Sequence, residues 1–128
     1  MIYVSIDGDS VGKKIEAYIL KNQLEELREF NIKFSDMISK VEAIFEKYDS
    51  DIYLRGGDNI LAKLPHENLP GLIEELKELL RTSQINFSMG VGKSVEACFL
   101  ALKNAKAIHN SNKLKIVQFD FTDKITIL

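Results

Sequence analysis

Asp51-Ile52-Tyr53-Leu54-Arg55-Gly56-Gly57-Asp58-Asn59-Ile60-Leu61-Ala62-Lys63-Leu64 decides how this chain is read. Two short runs with a period near two, 51–55 and 59–64, flank Gly56-Gly57-Asp58, a tight β-hairpin signal. Before the hairpin, Ile2-Tyr3-Val4-Ser5-Ile6 reads as a strand stopped by Asp7-Gly8-Asp9. It is apolar on both sides of its pleat, so a central strand is expected. Between them the apolar period is helical. One helix is expected from Val11 to about Phe30 with Ser10 as its N-cap, and another from about Phe34 to Tyr48 with Ser35 as N-cap.

Beyond the hairpin, Pro65 and Pro70 bracket a turn, and Gly71 to Arg81 reads as an acidic amphipathic helix. Ile85 to Val91 reads as a strand closed by Gly90 and Gly92. Ser94 then caps an Ala-rich helix from Val95 to about Asn110. Leu114 to Phe119 is a further strand, and Lys124 to Leu128 a short β-like run. The order β-α-α-β-β-α-β-α-β predicts an α/β (α+β) fold. Its split β-α-β-β-α-β core is ferredoxin-like: a mostly antiparallel sheet with helices on one face. One domain over residues 1–128 is expected, with no linker or repeat.

Composition narrows the function. The chain has 128 residues, with 17 Lys+Arg against 19 Asp+Glu and a net charge of -2. It is 45% hydrophobic and 28% charged, which excludes disorder, and its one cysteine, Cys98, excludes a disulfide scaffold. The charge balance excludes a heavily basic nucleic-acid binder, so no stable nucleic-acid partner is expected. No apolar run nears the ~20 residues of a membrane span. With no signal-peptide pattern, a cytoplasmic protein without a membrane partner is expected. Cys98 reads as a small core residue, and His66 and His109 as surface residues.

Three features carry chemistry together. In a ferredoxin-like sheet the first strand neighbours the hairpin, so a carboxylate leaving at Asp7-Gly8-Asp9 approaches one at Asp58. Carboxylates and a backbone carbonyl make an oxygen-only site suited to Mg²⁺ or Mn²⁺, which shares its shell with substrate phosphates. Gly56 and Gly57 let phosphates come close to the backbone. The third feature is local charge: from Lys93 to Gln118 five lysines (93, 103, 106, 113, 115) stand against Glu96 alone. Lys103 and Lys106, three apart, share one side of the last helix.

These residues resemble a known group. Gly56-Gly57-Asp58-Asn59-Ile60 resembles the GGDEF/GGDD signature of palm-type nucleotide cyclases and polymerases. Asp7-Gly8-Asp9 matches that group's Asp-x-Asp at the end of the first strand. Ser88-Met89-Gly90-Val91-Gly92 is similar to its Ser-x-Gly-Val-Ala strand, and Ala101-Leu102-Lys103-Asn104-Ala105-Lys106 to its Ala-Leu-x-x-Ala-Lys helix. The match covers residues 2 to about 118. Within the group the chain most resembles the minimal CRISPR polymerases, through Asp7-Gly8-Asp9-Ser10-Val11-Gly12 and the lack of the Phe-Lys pair and guanine-reading residues of GGDEF enzymes. The resemblance departs at Asn59, where GGDEF has Glu and the CRISPR palms have Asp. One metal-bridging carboxylate is lost there, and Asp9 is the candidate to supply its charge.

The resemblance implies ATP as substrate and a cyclic nucleotide as product, made by attack of a ribose hydroxyl on an α-phosphate. It implies metal ligation by Asp7, Asp58 and the Gly8 carbonyl, with Asp9 as a further candidate. The N–H groups of Ser10, Val11 and Gly12, opening a helix, would hold phosphates, as would Lys106 and, more weakly, Lys13 and Lys103. Gly56 and Gly57 would leave room for the α-phosphate, and Asn59 is a further nucleotide-binding candidate. A homodimer with two sites face to face, a cyclic-nucleotide-sensing effector protein as partner and a role in anti-phage defence are implied likewise. The alternatives are a nucleotide-binding module silenced at Asn59, and an RNA-binding sheet. Only Tyr3 and Tyr53 could stack bases in the latter, and the RNP1 pattern is absent.

Overall fold

The computed structural model describes residues 1–119 and 125–128. Strand β1 (Ile2–Gly8) is followed by helices α1 (Val11–Leu20) and α2 (Leu24–Lys47) and the hairpin of β2 (Asp51–Arg55) and β3 (Asn59–Leu64). Helix α3 (Leu69–Leu80), β4 (Phe87–Gly92), α4 (Val95–Lys106), β5 (Leu114–Phe119) and β6 (Ile125–Ile127) complete the order. The sheet runs β2-β3-β1-β4-β5-β6. Its first four strands have the ferredoxin-like arrangement, with β1 central and antiparallel to both β3 and β4. β5 runs parallel to β4 through the α4 crossover, and β6 pairs antiparallel with β5. Lys124, the first residue of the expected tail strand, lies outside the described residues.

Strand β1 places Ile2, Val4 and Ile6 in the core, against Phe34, Ile38, Val41 and Phe45 of α2 and Leu72, Leu76 and Leu80 of α3. Phe87, Met89 and Val91 of β4 face the same way. The intervening Gly90 and Gly92 face α4. A Cβ on Gly90 would collide with the backbone of Cys98 and Leu102, and one on Gly92 with that of Ala97 and Cys98. Cys98 is buried there, and burial pushes its thiol up to about 12. The expectation of helices on one face is therefore corrected for α4. The core helices α2 and α3 share one face, and the crossover helix covers the other over β4 and β5.

The helical boundaries also differ from expectation. The first helix stops at Leu20, ten residues early, because Asn22 takes a left-handed conformation (φ 55°). The Asn22 N–H donates to the Ile19 carbonyl and the Gln23 N–H to that of Tyr18, closing a Schellman turn. The following helix then runs unbroken through 31–33, so Ser35 lies inside α2 rather than capping it. Ser10 makes no cap hydrogen bond, whereas Ser94 caps α4 by accepting from the Ala97 N–H at 3.0 Å. Helix α4 ends at Lys106, short of Asn110. No helix among the described residues is long and apolar enough to cross a membrane.

Candidate active site

The alternation of β1 turns Asp7 toward the α4 side of the sheet. Its register partners are Asn59 on β3 and Ser88 on β4. The hairpin tip is fixed beside it: the Gly8 N–H donates to the Asp58 carbonyl at 3.0 Å, and the Gly56 N–H to the Asn59 carbonyl at 2.9 Å. Arg55 fastens the same tip to α2, donating to the Gly56 carbonyl at 2.7 Å and pairing with Glu42 at 3.6 Å.

Lys106, at the end of α4, reaches back to Asp7 with Nζ 2.9 Å from Oδ2. The other carboxylate oxygen, Asp7 Oδ1, is buried and has no hydrogen-bond partner. Burial pushes the Asp7 carboxyl above its ordinary value. The Lys106 ammonium pulls it back, and the nearby charges of Asp58 and Asp9 push it up again. An orphaned oxygen in the field of three carboxylates, with an ammonium drawn onto its twin, fits a cation-binding position. Among the described residues no three acidic, His or Cys side chains form a complete cage. A cation here would be completed by substrate oxygens, as suits Mg²⁺ or Mn²⁺.

The Asp9 carboxylate has one hydrogen-bonded oxygen and one that, like Asp7 Oδ1, is buried without a hydrogen bond but faces an ammonium. Oδ1 accepts from Ser88 Oγ at 2.8 Å, and Oδ2 lies 2.9 Å from Lys115 Nζ. The next residue, Ser10, is left-handed (φ 58°), an uncommon and strained conformation for a side-chain-bearing residue. The first-turn N–H groups that follow, at Val11 and Gly12, have no acceptor within their helix. Ser10, just before them, lines a hollow with Asp9, Asn86, Lys106, His109, Ser111 and Lys115, where two lysines stand against one carboxylate.

Asp7, Gly8, Asp9, Ser10, Asp58, Asn59 and Lys106 are thus drawn together around one end of β1. A Cβ on Gly12 or Gly57 would meet nothing within 4 Å, so open space adjoins both. The Asn59 amide oxygen folds back against Gly56. Lys103 does not join the cluster: its ammonium lies 5.0 Å from the Phe99 ring centroid. Lys13 is exposed on α1. Sequence reasoning missed Arg55, Ser88, Lys115 and the His109–Ser111 wall. Lys115 was counted in the lysine excess after Lys93, which does not say which lysine turns inward, and Ser88 stood in the strand motif without a role; Arg55 and the wall carried no signal. A second cavity, of about 380 Å³, lies where α1, α2 and the turn before β4 meet. Tyr18, Glu29, Phe30, Lys33, Phe34 and Gln84 are among its walls.

Comparison with known proteins finds that residues 3–118 match the model of the minimal CRISPR polymerase domain. No match was found among curated proteins. Among solved structures, a diguanylate cyclase/phosphodiesterase from Caldicellulosiruptor saccharolyticus superposes with TM-score 0.59 at 17% identity, covering 98% of this chain and 78% of that one. The guanylyl cyclase Cya2 gives 0.60 at 12% identity, over 91% of this chain and 73% of its own. A DinB family error-prone DNA polymerase from Sulfolobus solfataricus gives 0.61 at 14% identity, over 95% and 48% respectively. At these identities the likeness is one of fold.

Proposed function

The chain belongs to the minimal CRISPR polymerase family, and from that premise we propose that it is a nucleotidyltransferase that turns ATP into a cyclic nucleotide. The observation that carries this reading is the buried, unpartnered Asp7 Oδ1 beside Asp58, with Lys106 already held on the neighbouring oxygen. A divalent cation bound by Asp7, Asp58 and the Gly8 carbonyl would neutralise triphosphate charge and lower the pKa of the attacking hydroxyl.

The chain's own residues do the positioning, which is most of the work in such transfers. Lys106 and the N–H groups of Ser10, Val11 and Gly12 receive the β- and γ-phosphates, from the side of the basic hollow. Lys106, which pairs with Asp7 in the free chain, would turn to an entering phosphate and leave the Asp7 carboxylate free to hold the cation. The open space at Gly57 admits the α-phosphate to the hairpin tip. The base is assigned to the aromatic-walled cavity beside Phe30 and Phe34, which adjoins the same loop through Gly8: Gly8 packs closely on Phe34 and Val11. Closing a ring from two nucleotides requires two such sites face to face, so the working form is a homodimer. The product would act through a cyclic-nucleotide-sensing effector in anti-phage defence.

A second reading is favoured by one feature, the Asn59 amide folded against Gly56 where the family signature has a carboxylate. It makes the chain a nucleotide binder without turnover. Incubation of the purified protein with each NTP and Mg²⁺ or Mn²⁺, followed by mass spectrometry, separates the two. A cyclic product from ATP that is absent with Asp58→Ala supports the cyclase. Nucleotide binding with no pyrophosphate released from any NTP supports the binder.

A further inference from the structure

We propose that Lys115 is a positioning residue: its buried ammonium ties the β1–α1 loop to the α4–β5 connection and holds Asp9 out of the cation site. The inference rests on the nucleotidyl-transfer reading for its consequence, and on packing alone for its geometry. The Lys115 side chain is only 9% exposed. It stands beside Ser88 in the parallel β4–β5 register, so the strand aims it at the end of β1. Its ammonium lies 2.9 Å from Asp9 Oδ2 and donates to the Ile108 carbonyl at 3.1 Å.

Asp9 is held three ways: by Lys115, by Ser88 Oγ at 2.8 Å, and by its own N–H donating to the Asn86 carbonyl at 2.8 Å. These bonds keep the next residue, Ser10, in its left-handed conformation and so aim the first turn of α1 at the hollow. Ile108 belongs to the opposite wall, just past Lys106. One buried ammonium therefore sets the distance between the two groups assigned to phosphate. The same ion pair offsets the charge of Asp9. The charge lost at Asn59 is not replaced from Asp9, and the cation is left to Asp7 and Asp58.

Two measurements test this, the first with and without a non-hydrolysable ATP analogue, the second on the nucleotide-free protein. The first is Mn²⁺ titration followed by electron paramagnetic resonance. Asp9→Asn/Lys115→Met, which removes both charges together, is expected to bind Mn²⁺ as the native chain does. Asp58→Asn should bind about tenfold more weakly, since affinity follows the number of charged ligands. Lys115→Met alone, which frees Asp9, should bind more tightly. A double variant as weak as Asp58→Asn would make Asp9 a ligand and overturn the proposal.

The second is amide hydrogen exchange. Lys115→Met should speed exchange in both 9–12 and 107–111, and Lys115→Arg should restore protection. Unchanged exchange in both segments would overturn the strut. Should Lys115→Met not fold, Lys115→Arg and the double variant, which leave no unpaired buried charge, carry both measurements. Native protein that binds no Mn²⁺ either alone or with the ATP analogue, but shows the exchange pattern, would sink the transfer reading and leave the strut standing.

Discussion

Asp7 concentrates the conflict between stability and chemistry in one side chain. Burial raises its carboxyl above the ordinary 3.8, against the pull of Lys106. The folded chain therefore holds this proton more tightly than the unfolded chain. Its contribution favours folding at acid pH and falls as pH rises from 3.8 through the raised folded value. At neutral pH the ionised group is a net cost to the fold. Asp7→Asn is expected to keep or raise Tm at pH 7 while abolishing product formation; a clear fall in Tm would mean that the Lys106 pair outweighs burial. Gly57 makes the complementary case. No neighbour limits a side chain there, and its backbone is not left-handed. Gly57→Ala should leave Tm unchanged and raise the KM for ATP, because the added methyl occupies the space assigned to the α-phosphate. An unchanged KM would remove that assignment.

Among the elements, α4 does the most to build the site. It descends on the sheet because Gly90 and Gly92 present no side chains to it, and its last turn then delivers Lys106 to Asp7. Gly90→Ala would force a methyl into the α4 backbone and should destabilise the fold by about 3 kcal/mol, the upper end of the usual overpacking cost. A urea midpoint shift measures it, and a neutral result would mean that α4 can lift off the sheet without loss. The α1–α2 junction matters in another way. The turn at Asn22 lets α1 fold back on α2, with Tyr18 and Phe30 ring centroids 5.7 Å apart at the second cavity. A single straight helix from Val11 could not close that wall.

For the whole molecule, the sheet places both carboxylates, the first turn of α1 and the hollow beside Lys106 at one end of β1. One copy offers one such end. If cyclisation needs two copies, the rate per mole of protein should rise with protein concentration at saturating ATP, and excess Asp58→Ala chain should lower native turnover by forming mixed dimers. A rate strictly proportional to protein over a wide range, with no inhibition by the variant, would point to a working monomer or an already saturated dimer. Sedimentation at the assay concentration distinguishes the last two.

The order of elements was legible because each part of it is local. The two-residue period around Gly56-Gly57-Asp58, the helical stripes and the Ser94 cap depend only on near neighbours, and the approach of Asp7 to the hairpin, though distant in sequence, followed from the topology those elements imply. The boundaries that failed, at Asn22 and Ser35, failed because a left-handed residue interrupts a helix without breaking its apolar stripe. Sequence by itself therefore determined the palm-like order and the carboxylate pair. Only the tertiary structure decided which lysines meet them. Lys103, Lys106 and Lys115 have equivalent charge, but the α4 crossover and the parallel β4–β5 register send two to Asp7 and Asp9 and leave the third on Phe99. Packing across nearly the whole length of the chain makes that choice, and no local pattern carries it.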